Sequence, residues 1–153
     1  MQTKVKWTGK MHFAGETENG TSMEMDTAPE HGGENRAPKP LEAVLMSLAG
    51  CTGMDVVSIL RKMRQDFTGL EILSNGERVE DYPKKFRRID LEFIVRGRHL
   101  DPALVAKAIN LSHEKYCSVG AMLRPAVDIQ VSWKIEEETA DEVRAVEDHS
   151  VSV

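Results

Sequence analysis

Apolar and polar residues alternate near the start of the chain, which predicts β-structure there. Within the first 25 residues, apolar side chains recur at every second position in three short runs. The runs are Val5 and Trp7, Met11 and Phe13, and Met23 and Met25. A period of two is typical of half-buried strands, and Asn19-Gly20 between the last two runs is a strong hairpin signal. We therefore predict an N-terminal antiparallel meander of three strands.

The longest apolar stretch of the chain predicts a helix. After a loop rich in glycine, proline and charge over residues 28–40, the pattern over residues 41–65 is helical. Residues 43–60 are apolar nearly all round, with Asp55 as their only charge, so we expect a central helix that is buried on most sides. The length approaches that of a membrane span, but glycine, threonine and serine interrupt it. A core helix of a soluble protein is the favoured interpretation.

Strand and helix patterns alternate in the second half of the chain. Residues 70–79 and 86–95 predict an antiparallel strand pair. Asp101-Pro102 is an N-cap residue followed by proline, and it predicts the start of a helix that runs to about residue 116. A further helical turn is expected over residues 118–123. The perfect alternation of residues 127–135 predicts a final strand.

The order of these elements defines the predicted fold class. It is an α+β protein with segregated layers, in which an N-terminal antiparallel meander and a second antiparallel sheet surround a long helix. We predict a single domain over residues 1–135, or two interlocked halves sharing a core, and a frayed or disordered acidic tail over residues 136–153. Three short strands cannot cover a helix that is apolar on every side. We therefore expect a second copy of the chain to supply part of the cover, in a homodimer.

Composition and charge narrow the class of protein. The 153 residues are 41% apolar and 29% charged, with a formal net charge of -5, all ordinary values for a soluble globular protein. The mild acidity argues against a nucleic-acid partner, which would select a basic face. The N-terminal segment lacks the apolar core of a secretory signal. We therefore expect a cytoplasmic protein, with no membrane partner, in a reducing compartment.

The two cysteines, Cys51 and Cys117, are the candidates for chemistry. Two inert core thiols are the plainest interpretation, because free cysteine is among the most buried residue types. A reducing compartment disfavours a structural disulfide, and a metal site that joins both thiols to His113 would have only three ligands. Glycines before and after the Cys51-Thr52 pair favour redox chemistry, since they let a reactant approach the sulfur. Close packing of the helix against another backbone is the alternative explanation for them.

A reactive thiol needs a cation nearby, because an unperturbed thiol with a pKa of about 8.5 is mostly protonated at neutral pH. Cys51 lies too far along the predicted helix for the helix dipole to help. Arg36, on the preceding loop, is the nearest upstream cation, and Glu42 could hold its guanidinium by a bidentate pair. The alternative is equally open: Arg36 is a solvated loop arginine, and Glu42 is an ordinary acid in the first turn of the helix. The charge of Asp55 would raise the thiol pKa, so we expect this residue to accept hydrogen bonds in the core instead.

Two blocks of sequence resemble the OsmC-like protein family. The first block spans residues 38–57 and contains Leu48-Ala49-Gly50-Cys51-Thr52-Gly53, and the second is residues 113–119, with Cys117. The resemblance covers roughly residues 5–135 and includes the order of strands and helices. It places the chain in the broader OsmC-like group. It implies an intertwined α+β homodimer with its two sites at the subunit interface.

The resemblance also implies a reaction. In the organic hydroperoxide reductase branch, the first cysteine attacks the peroxide and becomes a sulfenic acid, and the second condenses with it to a disulfide. Carried over, Cys51 is the peroxidatic residue and Cys117 the resolving one, with an external dithiol such as lipoamide as reductant and no bound cofactor or metal. Two departures are visible. No arginine precedes Arg36, although the well-studied branches use one from the N-terminal strands, and Glu42 lies one residue closer to its cysteine than the familiar glutamate does.

The leading hypothesis is therefore a thiol-dependent peroxidase for organic hydroperoxides, active in the oxidative stress response. Met46, Met54 and Phe13 are candidates for an apolar interface pocket that would hold the tail of the substrate. The first alternative is a non-enzymatic dimer that binds a small apolar ligand at its interface. The second is a redox sensor that forms the disulfide and signals it to a partner.

Overall fold

The computed structural model describes residues 1–138, in two compact units. The first unit comprises residues 1–46 and the second begins at Ser47. The boundary between the two units falls inside the long helix. Most of the predicted acidic tail lies outside the described residues.

The first unit contains the predicted three-stranded antiparallel meander. Its strands, in the order β1-β2-β3, are β1 (Thr3–Gly9), β2 (His12–Thr17) and β3 (Ser22–Met25). Trp7 pairs with Phe13, and Phe13 pairs with Met25, so these large apolar side chains line one face of the sheet. Every residue of the three strands is exposed or half-buried. The loop that follows contains one short 3-10 turn, Pro29–His31.

The predicted long helix is present as α1 (Pro40–Lys62). By length and composition it could cross a membrane, since the mean hydropathy of its most apolar 18-residue window is 1.8. Only 33% of that window is buried within this chain. A single chain therefore covers only part of the helix, as the expectation of a second copy supplying cover requires. One face, with Leu48, Thr52, Val56 and Leu60 at intervals of four residues, is buried, whereas Met54 is 77% exposed.

The second unit contains a three-stranded sheet in the order β4-β5-β6. Its strands are β4 (Phe67–Arg78), β5 (Phe86–Gly97) and β6 (Asp128–Glu137). The β4–β5 pair is antiparallel, as predicted, but β6 pairs with β5 in parallel, so the expectation of a purely antiparallel second sheet is wrong. A long helical connection between β5 and β6 returns the chain to the same end of the sheet, which is what a parallel pair requires.

The connection between β5 and β6 contains two helices separated by a turn of π-helix. They are α2 (Pro102–Leu111), the π-turn (Ser112–Tyr116) and α3 (Ser118–Leu123). Asp101 caps α2 as predicted, because its side chain accepts a hydrogen bond from the backbone N of Ala103 at 2.8 Å. The predicted single helix up to residue 116 thus changes its hydrogen-bond pattern at Ser112. That change widens the helix just before Cys117.

Strand β6 continues two residues beyond its predicted end at Ile135. The guanidinium of Arg96 on β5 contacts Glu136 on one side at 2.8 Å and Glu71 of β4 on the other at 3.0 Å. These pairs tie the first acidic residues of the predicted tail to the sheet. The buried core of the second unit is centred on β5, where Ile89, Leu91, Phe93 and Val95 are at most 1% exposed.

Candidate thiol site

Cys51 lies on α1 within the second unit, and its side chain is half-buried. The glycines beside the Cys51-Thr52 pair have different surroundings. An added Cβ at Gly50 would find no heavy atom within 4 Å, whereas one at Gly53 would lie 3.0 Å from Cδ1 of Ile72 on β4. Gly53 therefore allows the sheet to pack closely on the helix, and Gly50 leaves open space beside the thiol. Each of the two explanations offered for the glycines applies to one of them.

Cys117 lies between the π-turn and α3, and it is 2% exposed. Its backbone N donates to the carbonyl of Ser112 at 2.9 Å. Its sulfur accepts a hydrogen bond from the backbone N of Gly120 at 3.2 Å and faces the hydroxyl of Thr52 at 3.3 Å. The second cysteine is thus held in one position by contacts from two different elements, α1 and α3.

Thr52 Oγ1 is buried between two acceptors. It lies 2.9 Å from the carbonyl oxygen of Leu48, one turn earlier in α1, and 3.3 Å from the sulfur of Cys117. The hydroxyl has a single hydrogen, so it donates to one of these acceptors at a time. When the hydrogen points to Leu48, an oxygen lone pair faces Cys117 and can accept its S–H. When it points to Cys117, it can stabilise a thiolate.

A second buried hydroxyl connects the π-turn to α1. Ser112 is fully buried, and its Oγ lies 3.0 Å from the carboxylate of Asp55 and 3.3 Å from the carbonyl oxygen of Thr52. Asp55 therefore accepts a side-chain hydrogen bond in the core. The contact fixes the start of the π-turn against the helix that carries Cys51.

The two thiols interact with each other, and their electrostatics differ. Burial raises the pKa of Cys117 above its ordinary value of 9.0, while the hydrogen bonds from Thr52 and Gly120 act in the opposite direction. Its interaction with Cys51 raises the pKa of Cys117 further. The thiol of Cys117 is therefore protonated at neutral pH.

Arg124 directly follows α3, and its guanidinium lies beside Gly120. Its Nη1 donates to the carbonyl oxygen of His113 in the π-turn. A Cβ added at Gly120 would lie 3.4 Å from this same Nη1 and 3.4 Å from the sulfur of Cys117, so both atoms border one point. Burial, and secondly the charge of Arg124, lower the pKa of His113, which leaves this side chain neutral at neutral pH.

The sequence analysis missed Thr52, Gly120 and Arg124 as parts of the site. Thr52 directly follows Cys51, but a threonine inside a helix ordinarily bonds back to the preceding turn, as it does here to Leu48. Gly120 lies three residues after Cys117, the spacing of a cap, which was an available signal. Nothing in the sequence places Arg124 near the sulfur, because that depends on its anchor at the carbonyl of His113.

Arg36 and Glu42 belong to the first unit, where each has a partner of its own. The backbone N of Arg36 donates to the buried carboxylate of Asp26 at 3.1 Å, and its guanidinium pairs with Glu34 at 2.7 Å. Glu42 accepts from the backbone N of Lys39 at 2.8 Å, which is half of a capping box at the start of α1. The bidentate pair between Arg36 and Glu42 is therefore replaced by two separate contacts.

A pocket of about 350 Å³ opens on the second unit, on the part of α1 that follows Cys51. It is lined by Asp55, Ser58, Ile59, Lys62, Met63, Leu111 and Tyr116. Of the three side chains expected to hold a substrate tail, Met46 and Met54 lie on α1 and Phe13 lies on β2. None of them lines this pocket. Within residues 1–138, no three His, Cys, Asp or Glu side chains are arranged to bind a metal ion.

Comparisons with known proteins identify relatives of the chain. A family model for OsmC-like proteins matches residues 32–132. Protein YhfA of Escherichia coli strain K12 is 46% identical over 135 residues, which are 88% of this chain and 98% of that protein.

Solved structures share the fold. A hypothetical protein from Aquifex aeolicus VF5 is 29% identical, with a TM-score of 0.79 over 90% of this chain and 97% of that one. An organic hydroperoxide resistance protein, OsmC, from Legionella pneumophila is 18% identical, with a TM-score of 0.64 over 88% of this chain and 97% of that one. At this low identity the similarity to the Legionella protein shows the fold alone.

Proposed function

The chain belongs to the OsmC-like protein family, and from that premise we propose that it is a thiol-dependent peroxidase for organic hydroperoxides. One observation carries the proposal: the half-buried Cys51 interacts with Cys117, which is 2% exposed and whose pKa burial raises. A peroxidatic cysteine must be a thiolate that a substrate can reach, and a resolving cysteine must lie beside it. Cys51 is the more accessible of the two thiols and fits the peroxidatic role. Cys117 lies beside it and fits the resolving role.

The proposed cycle has three balanced steps. The thiolate of Cys51 attacks the terminal peroxide oxygen, the O–O bond breaks, and the alkoxide leaves and takes a proton to become an alcohol. Cys117 then attacks the sulfur of the Cys51 sulfenic acid, the S–S bond forms, and hydroxide leaves as water with the Cys117 proton. An external dithiol such as lipoamide reduces the disulfide by two thiol–disulfide exchanges and is itself oxidised to a cyclic disulfide.

The choice of organic hydroperoxides rests on two supports. The pocket that follows Cys51 on α1 is lined partly by Ile59, Met63 and Leu111, which can hold an apolar tail. The Legionella relative of the same fold is an organic hydroperoxide resistance protein. We place the reaction in the cytoplasm, where reduced dithiols are available.

Arg36 remains our candidate for the cation that activates Cys51. Its side chain is 62% exposed, and its carboxylate partner, Glu34, is shared with Lys10. Breaking a shared ion pair at the surface costs little, so Arg36 is not committed to Glu34. Glu42 fits the role of helix cap better than that of a holder for Arg36.

We further propose that the protein is a homodimer in which a second copy covers the apolar face of α1. Helix α1 has 23 residues, and only 33% of its most apolar 18-residue stretch is buried within the chain. That leaves more hydrophobic surface exposed than a stable monomer usually tolerates. Met54→Glu should reduce the dimer to monomers in light scattering after size exclusion. Tyr82→Glu, at an 89% exposed position in the β4–β5 turn, is the matched control and should leave the dimer intact. A monomeric wild type would contradict this part of the proposal.

Peroxide consumption with a dithiol reductant tests the enzymatic proposal. We expect wild type to turn over cumene hydroperoxide many times and Cys51→Ser to lose turnover entirely. Cys117→Ser should react once per chain and then stop or slow severely, because the sulfenic acid has no resolving thiol. Full activity in Cys51→Ser would overturn the assignment. Disulfide formation in wild type without turnover would point to a sensor instead of a peroxidase.

A further inference from the structure

The contacts around Cys117 are suited to a thiolate, although this thiol is protonated in the reduced protein. We propose that Thr52 and Arg124 are positioning residues that stabilise the Cys117 thiolate once Cys51 has been oxidised. The inference rests on the proposed peroxidase function and adds two residues to it. It assigns them to the resolving step and not to the attack on peroxide.

A negative charge on Cys51 affects the ionisation of Cys117. A charged Cys51 raises the pKa of Cys117. Oxidation of Cys51 to a sulfenic acid leaves a neutral group at that position, which removes the charge contribution. Burial then opposes the ionisation of Cys117, while the donors Thr52 and Gly120 favour it. The surroundings of Cys117 therefore favour its thiolate most after Cys51 has been oxidised.

The hydroxyl of Thr52 can serve both states of Cys117. While Cys117 is a thiol, the hydroxyl hydrogen rests on the Leu48 carbonyl oxygen at 2.9 Å and the oxygen accepts the S–H. When Cys117 ionises, the hydroxyl rotates and donates to the sulfur at 3.3 Å. The second state costs only one rotation about a side-chain bond, because the Leu48 carbonyl keeps its backbone partner in the helix.

The guanidinium of Arg124 and the sulfur of Cys117 border the same point. Nη1 and the sulfur are each 3.4 Å from the position where a Gly120 Cβ would be. A side chain larger than hydrogen at this buried glycine would contact both atoms. The hydrogen bond from Nη1 to the His113 carbonyl keeps the guanidinium in place. A positive charge near a thiol favours the thiolate.

The other titratable groups around Cys117 cannot take over the role of Thr52 and Arg124 in stabilising its thiolate. From α1, Cys51 becomes neutral on oxidation, and Asp55 is held by Ser112 and carries the wrong sign. From the π-turn, His113 is kept neutral by burial and by Arg124. Arg124 is therefore the cation beside Cys117 among these groups.

The step that these residues assist is balanced as follows. Cys117 releases its proton, its thiolate attacks the sulfur of the Cys51 sulfenic acid, and the S–S bond forms as the S–O bond breaks. The departing hydroxide combines with the released proton as water. No oxidant or reductant beyond the peroxide already consumed is required.

Rapid quenching of the full-length protein after one equivalent of cumene hydroperoxide tests the inference. A dimedone adduct on Cys51 measures the sulfenic acid, and thiol counting measures the disulfide. We expect Thr52→Val and Arg124→Gln to form the sulfenic acid as fast as wild type but to form the disulfide about tenfold more slowly, which corresponds to about one pKa unit. The pH at which disulfide formation is half-maximal should rise in both. Thr52→Ser and Arg124→Lys should recover part of the rate.

Two surface substitutions are matched controls. Thr68→Val removes an exposed hydroxyl that bonds Glu138, and Arg98→Gln removes an exposed guanidinium that pairs with Asp66. Both should resolve the sulfenic acid at the wild-type rate. Wild-type rates and pH profiles in Thr52→Val and Arg124→Gln would overturn the inference while leaving the peroxidase proposal intact.

A titration that involves no peroxide separates the two proposals. In a Cys51→Ala background, Cys117 is the only thiol of the chain, so its ionisation can be followed by thiolate absorbance. Adding Thr52→Val or Arg124→Gln should raise its pKa by about one unit. An unchanged pKa would contradict the inference even in a protein that turns out not to reduce peroxides.

Discussion

The surroundings of Cys51 and those of Cys117 differ in every respect that controls thiol chemistry. Cys51 is half-buried on a helix, next to a glycine with open space around it. Cys117 is 2% exposed, and its sulfur is contacted by Thr52 from one element and by Gly120 from another. One thiol is half-buried, and the other is enclosed, with a pKa that burial raises. The attacking and resolving roles that we propose rest on this difference in packing.

The largest expected difference between the two thiols is in their rates of alkylation. Iodoacetamide reacts with thiolates, and a buried thiol reacts only when the structure opens. We expect Cys51 to be modified faster than Cys117 by about two orders of magnitude in the native protein at pH 7.5, since exposure and ionisation both favour it. Peptide mass spectrometry against time measures both rates in one sample. Equal rates would remove the distinction on which the assigned roles depend.

The pH dependence of stability should show the protonated state of Cys117. Because burial raises its folded pKa above 9.0, the native protein keeps this proton at pH values where the unfolded chain has lost it. The resulting stabilisation is fully present below pH 9 and is lost as the pH rises through the folded pKa. Urea unfolding at pH 8 and pH 10 should therefore show a larger loss of stability for wild type than for Cys117→Ser.

Cys51→Ser is the control for this experiment. Burial, which is the main cause of the raised pKa of Cys117, does not depend on Cys51. The variant should therefore keep most of the loss between pH 8 and pH 10. The same loss in Cys117→Ser as in wild type would contradict a raised pKa at that position.

A smaller effect is expected at the packed side of Cys51. Gly53→Ala gains helix propensity of about 1 kcal/mol but places a methyl group 3.0 Å from Cδ1 of Ile72. Ile72→Val removes that atom and alone should cost about 0.5–1.5 kcal/mol. We expect the double variant to be more stable than the two single changes predict by addition, by about 0.5–1 kcal/mol in urea unfolding. Additive changes would mean that the contact between β4 and α1 does not restrict position 53.

Sequence patterns predicted the elements well where hydrophobic periodicity is strong. The meander, α1, the β4–β5 pair and α3 lie where alternation and helical periodicity indicated. The parallel pairing of β6 was not predictable in this way. Alternation shows which side chains of a strand face the core, but it does not show the direction of the strand relative to its neighbour. The limited burial of α1 within one chain agrees with the expectation that three short strands cannot cover an apolar helix.

The two cysteines of the candidate site could be predicted from the sequence, but most of the residues that contact them could not. Both cysteines could be identified by residue type and by the family resemblance. Their different burial depends on how the π-turn and α3 enclose Cys117, which is a tertiary feature. The position of Arg124 depends on its hydrogen bond to the carbonyl of His113, and a sequence does not reveal backbone acceptors of that kind.

The most direct test is to measure which of the two cysteines peroxide oxidises first to a sulfenic acid. Cys117→Ser and Cys51→Ser are each treated with one equivalent of cumene hydroperoxide in the presence of dimedone, and the adducts are followed by mass spectrometry. We predict rapid formation of a Cys51 adduct in Cys117→Ser and, in Cys51→Ser, a Cys117 adduct that forms at least about a hundredfold more slowly, because that thiol is enclosed and protonated. Oxidation of Cys117 as fast as that of Cys51 would contradict the account.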